Sequence, residues 1–213
     1  MIFSEKMLSE LETAVKNRLS HHRYIHTVGV RDAAIRIAEF CYSGDISEIS
    51  AAAMLHDISK EYSTAEQFDI MNKSGLPLSD TDLMSEQIFH SFTAPYVIQN
   101  EFCDFSTANV LSSVFNHTTG APDMSLFDEI IFVADYVEAG RKYDSCIKVR
   151  DGLYGAFSLS QDREECVMHL HNATISALEN TIISVIQNKK VLNERTVATR
   201  NAFLARVPAP LVD

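Results

Sequence analysis

Three observations predict an all-α fold. Apolar residues recur at three- and four-residue steps along most of the chain, the period of an amphipathic helix. Gly and Pro number only seven and five in 213 residues and Trp is absent, which is too little turn chemistry for a sandwich or barrel. A hydrophobic fraction of 46% against 22% charged supplies a sizeable core, and the length suits one domain, not two full enzymes.

The elements follow in order. Leu8, Leu11, Val15 and Leu19, then Ile25, Val28, Ile35 and Phe40, mark the first two helices. Ser43-Gly44-Asp45 interrupts the pattern, and Asp45 or Ser47 caps a third helix through Ile49, Ala52, Ala53 and Leu55 that ends near His56-Asp57. Ser63-Thr64 ahead of Glu66-Gln67 resembles a capping arrangement for a short helix to about Lys73, closed by Gly75 and Pro77. From Ser79 or Asp80, the positions Leu83, Ile88, Val97 and Ile98 predict one long or kinked helix, with Pro95 at the kink. Another runs from Thr107 to about His117 and stops at Thr118-Thr119-Gly120. Ser125 or Asp128 starts the next, filled by Ile130, Ile131, Val133, Ala134 and Val137 and stopped at Gly140. The last strong segment runs from about Asp162 to Lys190. No repeat or Gly/Ser linker divides the chain, so residues 1–193 are expected to form one helical domain. Residues 194–213, with Pro208 and Pro210, are expected to fray.

Eighteen Lys and Arg against 29 Asp and Glu leave a formal charge of −11, which repels a nucleic-acid backbone and excludes polymeric nucleic acid as a partner. A small phosphorylated substrate remains compatible, because a few cations or metal ions in a cleft reverse the field locally. No stretch reads as a signal peptide or a spanning helix, so the expected setting is cytoplasmic with no membrane partner. Cys41, Cys103, Cys146 and Cys166 form no CxxC pair and read as buried small hydrophobes. The long segment from Asp162 to Lys190 serves either domain packing or a homodimer interface.

The chemistry sits where apolar runs end. In Ala51-Ala52-Ala53-Met54-Leu55-His56-Asp57 an apolar helix stops at an imidazole and a carboxylate. A charged Asp at such a place is costly unless paired or metal-bound. His26 lies on an otherwise apolar helix, His90 follows Ile88-Phe89, His117 precedes Thr118-Thr119-Gly120, and Asp135 ends the run Ile130 to Ala134. Each group falls on a different helix, and helical bundles build metal sites from facing side chains in this way.

This ordered series resembles the His…His-Asp…His…His…Asp pattern of the HD-domain phosphohydrolase superfamily. His-Thr-Val-Gly-Val at His26, Leu-His-Asp-Ile-Ser-Lys at Leu55, His-Thr-Thr-Gly at His117 and Ala-Asp-Tyr-Val-Glu-Ala-Gly-Arg at Ala134 are similar, more closely, to the YqeK-type bacterial enzymes. The resemblance covers roughly Arg18 to Arg150. It implies a helical bundle with the metal site between helices, and symmetrical cleavage of diadenosine tetraphosphate into two ADP. Hydrolysis of another nucleotide, or a catalytically slow nucleotide-binding module, are the alternatives. Two positions depart from the family pattern: His90-Ser91-Phe92 stands where His-Gly-Pro is usual, and Ala139 replaces the Pro of Glu-Pro-Gly-Arg.

By analogy with two-metal HD sites, His26, His56, Asp57 and Asp135 hold one ion and Asp57, His90 and His117 a second, with Asp57 bridging. Two such cations ~3.5–4 Å apart polarise a phosphoryl oxygen and acidify a shared water. Imidazole and carboxylate donors without Cys suit iron, manganese or another transition metal, and the resemblance favours iron. Lys60 and Arg141 are the candidate cations for substrate phosphates and for catalysis beside Asp57, with Arg150 a third phosphate contact. Thr118, Thr119 and Gly120 either present donors to a phosphate or simply end a helix. His21, His22, His169 and His171 read as surface residues. Tyr136, Tyr143, Tyr154 and Phe157 read as core, or alternatively as stacking partners for a base.

Overall fold

The computed structural model describes residues 2–206, and every regular element among them is helical. The order is α1 (Glu5–Arg18), α2 (His21–Cys41), α3 (Ile46–Leu55), α4 (Thr64–Ser74), α5 (Asp80–Leu83), α6 (Phe89–Glu101), α7 (Ala108–Asn116), α8 (Leu126–Val137), α9 (Asp144–Phe157), α10 (Arg163–Gln187) and α11 (Glu194–Arg206). No helix among the described residues is long and apolar enough to cross a membrane.

Caps set the boundaries. Ser4, Ser20, Asp45, Ser63, Thr107, Ser125 and Asp162 each accept a backbone N–H of the helix they open, satisfying donors that a first turn leaves free. Ser63 with Glu66 and Ser125 with Asp128 form reciprocal capping boxes. Of the alternatives that the sequence offered, Asp45 caps α3 and Ser125 caps α8.

Helices α3 and α8 are apolar on nearly every side and lie at the centre, as such helices must. Helix α2 packs across both, α7 closes on α3, α6 and α8, and α9 and α10 cover the outer side of α8. Ile49, Leu55, Ile130, Ile131, Val133 and Leu170 have no exposed surface. A second, smaller cluster of Met71, Ile88, Phe89 and Phe92 joins α4 to α6.

Three expectations change. The long helix from residue 80 is two helices, because Met84 ends α5, Ser85 leaves helical geometry and a 3₁₀ turn, Glu86–Ile88, leads into α6. Pro95 lies inside α6, which continues past it to Glu101. The tail expected to fray from residue 194 is instead helical to Arg206: α11 packs on α10, Phe203 is fully buried, and Arg206 donates to the carbonyl of Pro122 at 2.7 Å. Pro208 and Pro210 lie outside the described residues. Helix α9 carried no expectation at all. Finally, the four cysteines are free, and Cys103 is exposed where the other three are buried.

Candidate metal centre

Five helices bring the six expected groups to one point. His26 comes from the second turn of α2, His90 from the first turn of α6 and Asp135 from the last turn of α8. His56 and His117 are the C-cap residues of α3 and α7, with Asp57 one residue further on. Three helix C-termini therefore point at the cluster, and their partial negative charge favours a cation there.

Asp57 stands at the middle, buried, with its two oxygens divided. Oδ2 lies 3.6 Å from His26 Nε2 and 3.5 Å from His56 Nε2, while Oδ1 lies 3.2 Å from His90 Nε2 and 3.7 Å from His117 Nε2. Asp135 Oδ1 lies 3.1 Å from His26 Nε2. Two overlapping groups, His26–His56–Asp135 and His56–Asp57–His117, have donor atoms close enough to share an ion.

The other ring nitrogens explain why the Nε2 atoms face inward. His56 Nδ1 is 2.6 Å from the carbonyl of Ala53 and His117 Nδ1 is 2.6 Å from that of Val114, each one turn back along its own helix. His26 Nδ1 is 3.2 Å from Glu138 Oε1. Each of these acceptors takes the Nδ1–H hydrogen bond and turns the Nε2 atom toward the centre. His26 Nε2 and His56 Nε2 are buried with no hydrogen-bond partner. Such orphaned imidazole nitrogens beside two carboxylates fit a divalent metal ion.

The glycines of two motifs are explained by Glu138. A Cβ on Gly29 would meet Glu138 Oε2 at 2.6 Å, and one on Gly140 would meet both carboxylate oxygens at 2.8 Å. Glycine at both positions lets α2 and the turn after α8 close on the carboxylate that orients His26 without displacing it, and the Gly140 N–H also donates to it.

Burial opposes the charge on Asp57, yet the surrounding imidazoles of His56 and His117 hold its carboxyl well below the usual range. Burial also opposes the charge on Asp135, and the Arg141 guanidinium overcomes it. Burial and the Lys60 ammonium push His90 down, so its ring is neutral and ready to ligate. His26 goes the other way: burial pushes it down, but the Asp135 and Glu138 carboxylates beside it win and raise it to about 9. An imidazole binds a metal only after losing that proton. Metal uptake is therefore expected to release a proton at His26 at any pH below about 9, with affinity rising about tenfold per pH unit up to that point. Calorimetric titration in buffers of different ionisation enthalpy measures the proton count, and a buffer-independent heat would show that His26 gives up none.

The expected substrate contacts divide. Arg141 donates to the Asp135 carboxylate and, through Nε, to its backbone carbonyl at 3.0 Å. It lines a cleft of about 580 Å³ that opens beside the cluster and also holds His117, Thr118, Asp135, Tyr136, Tyr143 and Asn180. Thr118 Oγ1 lies 3.0 Å from His117 Nε2 and 3.2 Å from His90 Nε2. Lys60 Nζ lies 3.0 Å from His90 Nδ1 and donates to the carbonyl of Gln87.

Others are turned to structural use. Arg150 donates to the carbonyls of Val137, Glu138 and Arg141, bracing the loop between α8 and α9. Thr119 is buried with its hydroxyl on the carbonyl of Gly120, and Gly120 takes the left-handed φ of 69° that turns the chain after α7. Tyr154 lies under the Arg36 guanidinium, and Phe157 is buried against Phe40. The surface reading of His171 is corrected: it is largely covered, with Nδ1 2.9 Å from both oxygens of the fully buried Glu129. Sequence reasoning missed Arg23, whose Nη1 lies 2.7 Å from Asp57 Oδ2. It precedes His26 by three residues and so shares its helix face, which was the available signal.

Comparison with known proteins agrees with this geometry. The HD domain family model matches residues 23–140, which hold all six ligand candidates. The chain belongs to the HD-domain family. The chain is similar over about nine-tenths of its length to proteins named symmetrical bis(5'-nucleosyl)-tetraphosphatase. That of Halalkalibacterium halodurans is 32% identical, covering 89% of this chain and 93% of the relative, and that of Bacillus subtilis is 29% identical, covering 90% and 95%. A crystal structure from Clostridium acetobutylicum, described as a predicted HD superfamily hydrolase involved in NAD metabolism, superposes with a TM-score of 0.80 at 28% identity. It covers 93% of this HD-domain chain and 97% of its own.

Proposed function

We propose that this protein is a metal-dependent hydrolase that cleaves diadenosine tetraphosphate symmetrically into two ADP. The observation that carries the metal-centred chemistry is the division of the Asp57 carboxylate, one oxygen toward His26 and His56 and the other toward His90 and His117. The substrate is supported by relatives of that activity that match about nine-tenths of the chain.

His26, His56, Asp57 and Asp135 would hold one ion and Asp57, His90 and His117 a second, iron foremost, with manganese or another transition metal compatible with the same donors. Ions held there supply Lewis-acid polarisation of a phosphoryl oxygen and a water acidic enough to attack at neutral pH. The chain's own groups do the rest. Asp57 and Asp135 stay ionised and anchor the centre. Arg141, at the mouth of the cleft, forks onto phosphate oxygens, and Lys60 places its ammonium beside His90 where negative charge accumulates on the phosphates. The Thr118 hydroxyl orients a phosphate at the same edge. Tyr136 and Tyr143 line the cleft, and Tyr143, 72% exposed, offers a free ring face to a nucleobase.

Anaerobically iron-loaded protein, incubated with diadenosine tetraphosphate and resolved by ion exchange, is expected to yield ADP as sole nucleotide product. AMP with ATP would overturn symmetrical cleavage. Intact substrate from metal-loaded protein would shift the reading to another nucleotide or to a binding module.

A further inference from the structure

Arg23 is the cation at the centre that no role above has used. Its side chain is 25% exposed, its Nη1 is 2.7 Å from Asp57 Oδ2, and its Nε is buried with no hydrogen-bond partner. We propose that Arg23 is a substrate-binding residue that holds the phosphates of the dinucleotide half lying outside the Arg141 cleft. The proposal rests on the function proposed above and assigns the second half of that substrate.

Charge is the first argument. Three side-chain cations, Arg23, Lys60 and Arg141, gather at the centre, where Asp57, Asp135 and Glu138 supply three carboxylates. The chain as a whole carries −11. Metal ions at the ligand carboxylates would leave these cations without matching charge, and a tetraphosphate chain brings several negative charges to balance them.

Position is the second. The two arginines are arranged alike, Arg23 on Asp57 and Arg141 on Asp135, but only Arg141 lines the cleft of about 580 Å³. Neither Arg23 nor Lys60 borders it. A cleft of that size suits one nucleotide. Symmetrical cleavage puts the scissile bond at the centre with two phosphates on each side, so the far half must lie outside the cleft, and Arg23, on Asp57, is a cation of the centre that stands outside it. A metal ion sharing Asp57 competes for the charge that now satisfies the guanidinium, and phosphate oxygens match the fork of Arg23.

The test compares metal-loaded wild type, Arg23→Ala, Arg23→Lys and Arg141→Ala. For Arg23→Ala the KM for diadenosine tetraphosphate is expected to rise about tenfold or more, while inhibition by ADP, which needs only the cleft, changes by less than about twofold. Metal per chain stays at the wild-type value, Arg23→Lys recovers part of the loss, and Arg141→Ala weakens both substrate and ADP. Calorimetric binding of inorganic tripolyphosphate is expected to weaken in Arg23→Ala as well. Loss of metal from the folded Arg23 variants would make Arg23 an anchor for Asp57 and overturn the proposal. So would an unchanged KM, or ADP inhibition that weakens in step with it. Should wild type leave diadenosine tetraphosphate intact, the proposed function fails by itself. Arg23 is then judged on tripolyphosphate, where equal binding by wild type and Arg23→Ala overturns it.

Discussion

Asp57→Ala is expected to abolish metal binding and, with it, hydrolysis, lowering kcat/KM by about 10³-fold or more. The carboxylate lies between four imidazoles, and each oxygen faces a different pair of them. Deleting it leaves His26 and His56 on one side and His90 and His117 on the other, with nothing to join them. The Arg23 guanidinium, now without its carboxylate, adds a repulsive charge to the space an ion must enter. Asp57→Asn separates shape from charge: the amide keeps the volume but brings no anion and one NH₂ donor, so metal is expected to be lost there too. Lys60→Ala provides the contrast, retaining metal and losing substrate affinity or rate, because its ammonium contacts His90 and a carbonyl and is itself no ligand. Metal content by elemental analysis, alongside steady-state rates, reads all three variants. Normal metal content and turnover in Asp57→Ala would defeat the model of the centre.

The six ligand candidates were legible because each is a polar group in a place where composition says core. His56-Asp57 ends an unbroken apolar helix and Asp135 nearly ends another, and burial at such positions demands a partner. The helices carrying them were legible from period and caps. What escaped lacks a hydropathy signal. Helix α11 buries Thr196, Thr199 and Phe203, spaced as a helix face but with two polar residues of three. Helix α9 buries only Cys146, Leu153 and Phe157, and two glycines in its last turns obscure the period. The choice between phosphate and structural contacts at Arg150 and Thr119 stayed open in the sequence for another reason: whether a donor meets a phosphate or a nearby carbonyl depends on how the loop after its helix folds. The departure at Ser91-Phe92 proves local. Ser91 donates to the carbonyl of Ile88 at 2.7 Å and Phe92 packs 5.5 Å from Phe115, so both are absorbed by the first turn of α6 and the small cluster around it. His90 keeps its place in the centre.

His171→Ala is expected to lower stability by about 3 kcal/mol. For a chain of this length that corresponds to roughly 6–12 °C in Tm. Glu129 lies on α8 with no exposed surface, and its carboxylate is held by His171 Nδ1 at 2.9 Å and Thr174 Oγ1 at 2.7 Å, both from α10. Removing the imidazole leaves a buried carboxylate with one hydroxyl donor and opens space beside Phe203, whose ring lies 5.7 Å from that of His171. The cost arises from the unpaired charge more than from lost packing, and a second substitution separates the two. Glu129→Gln in the His171→Ala background removes the charge while keeping the side chain's size, so it is expected to restore part of the lost Tm. The measurement is thermal unfolding by circular dichroism on metal-free protein, since bound metal would raise Tm by mass action and mask the difference. A His171→Ala Tm within about 1 °C of wild type would mean that solvent reaches Glu129 as readily as the imidazole does. The pair would then contribute nothing to holding α10 on the helix that carries Asp135.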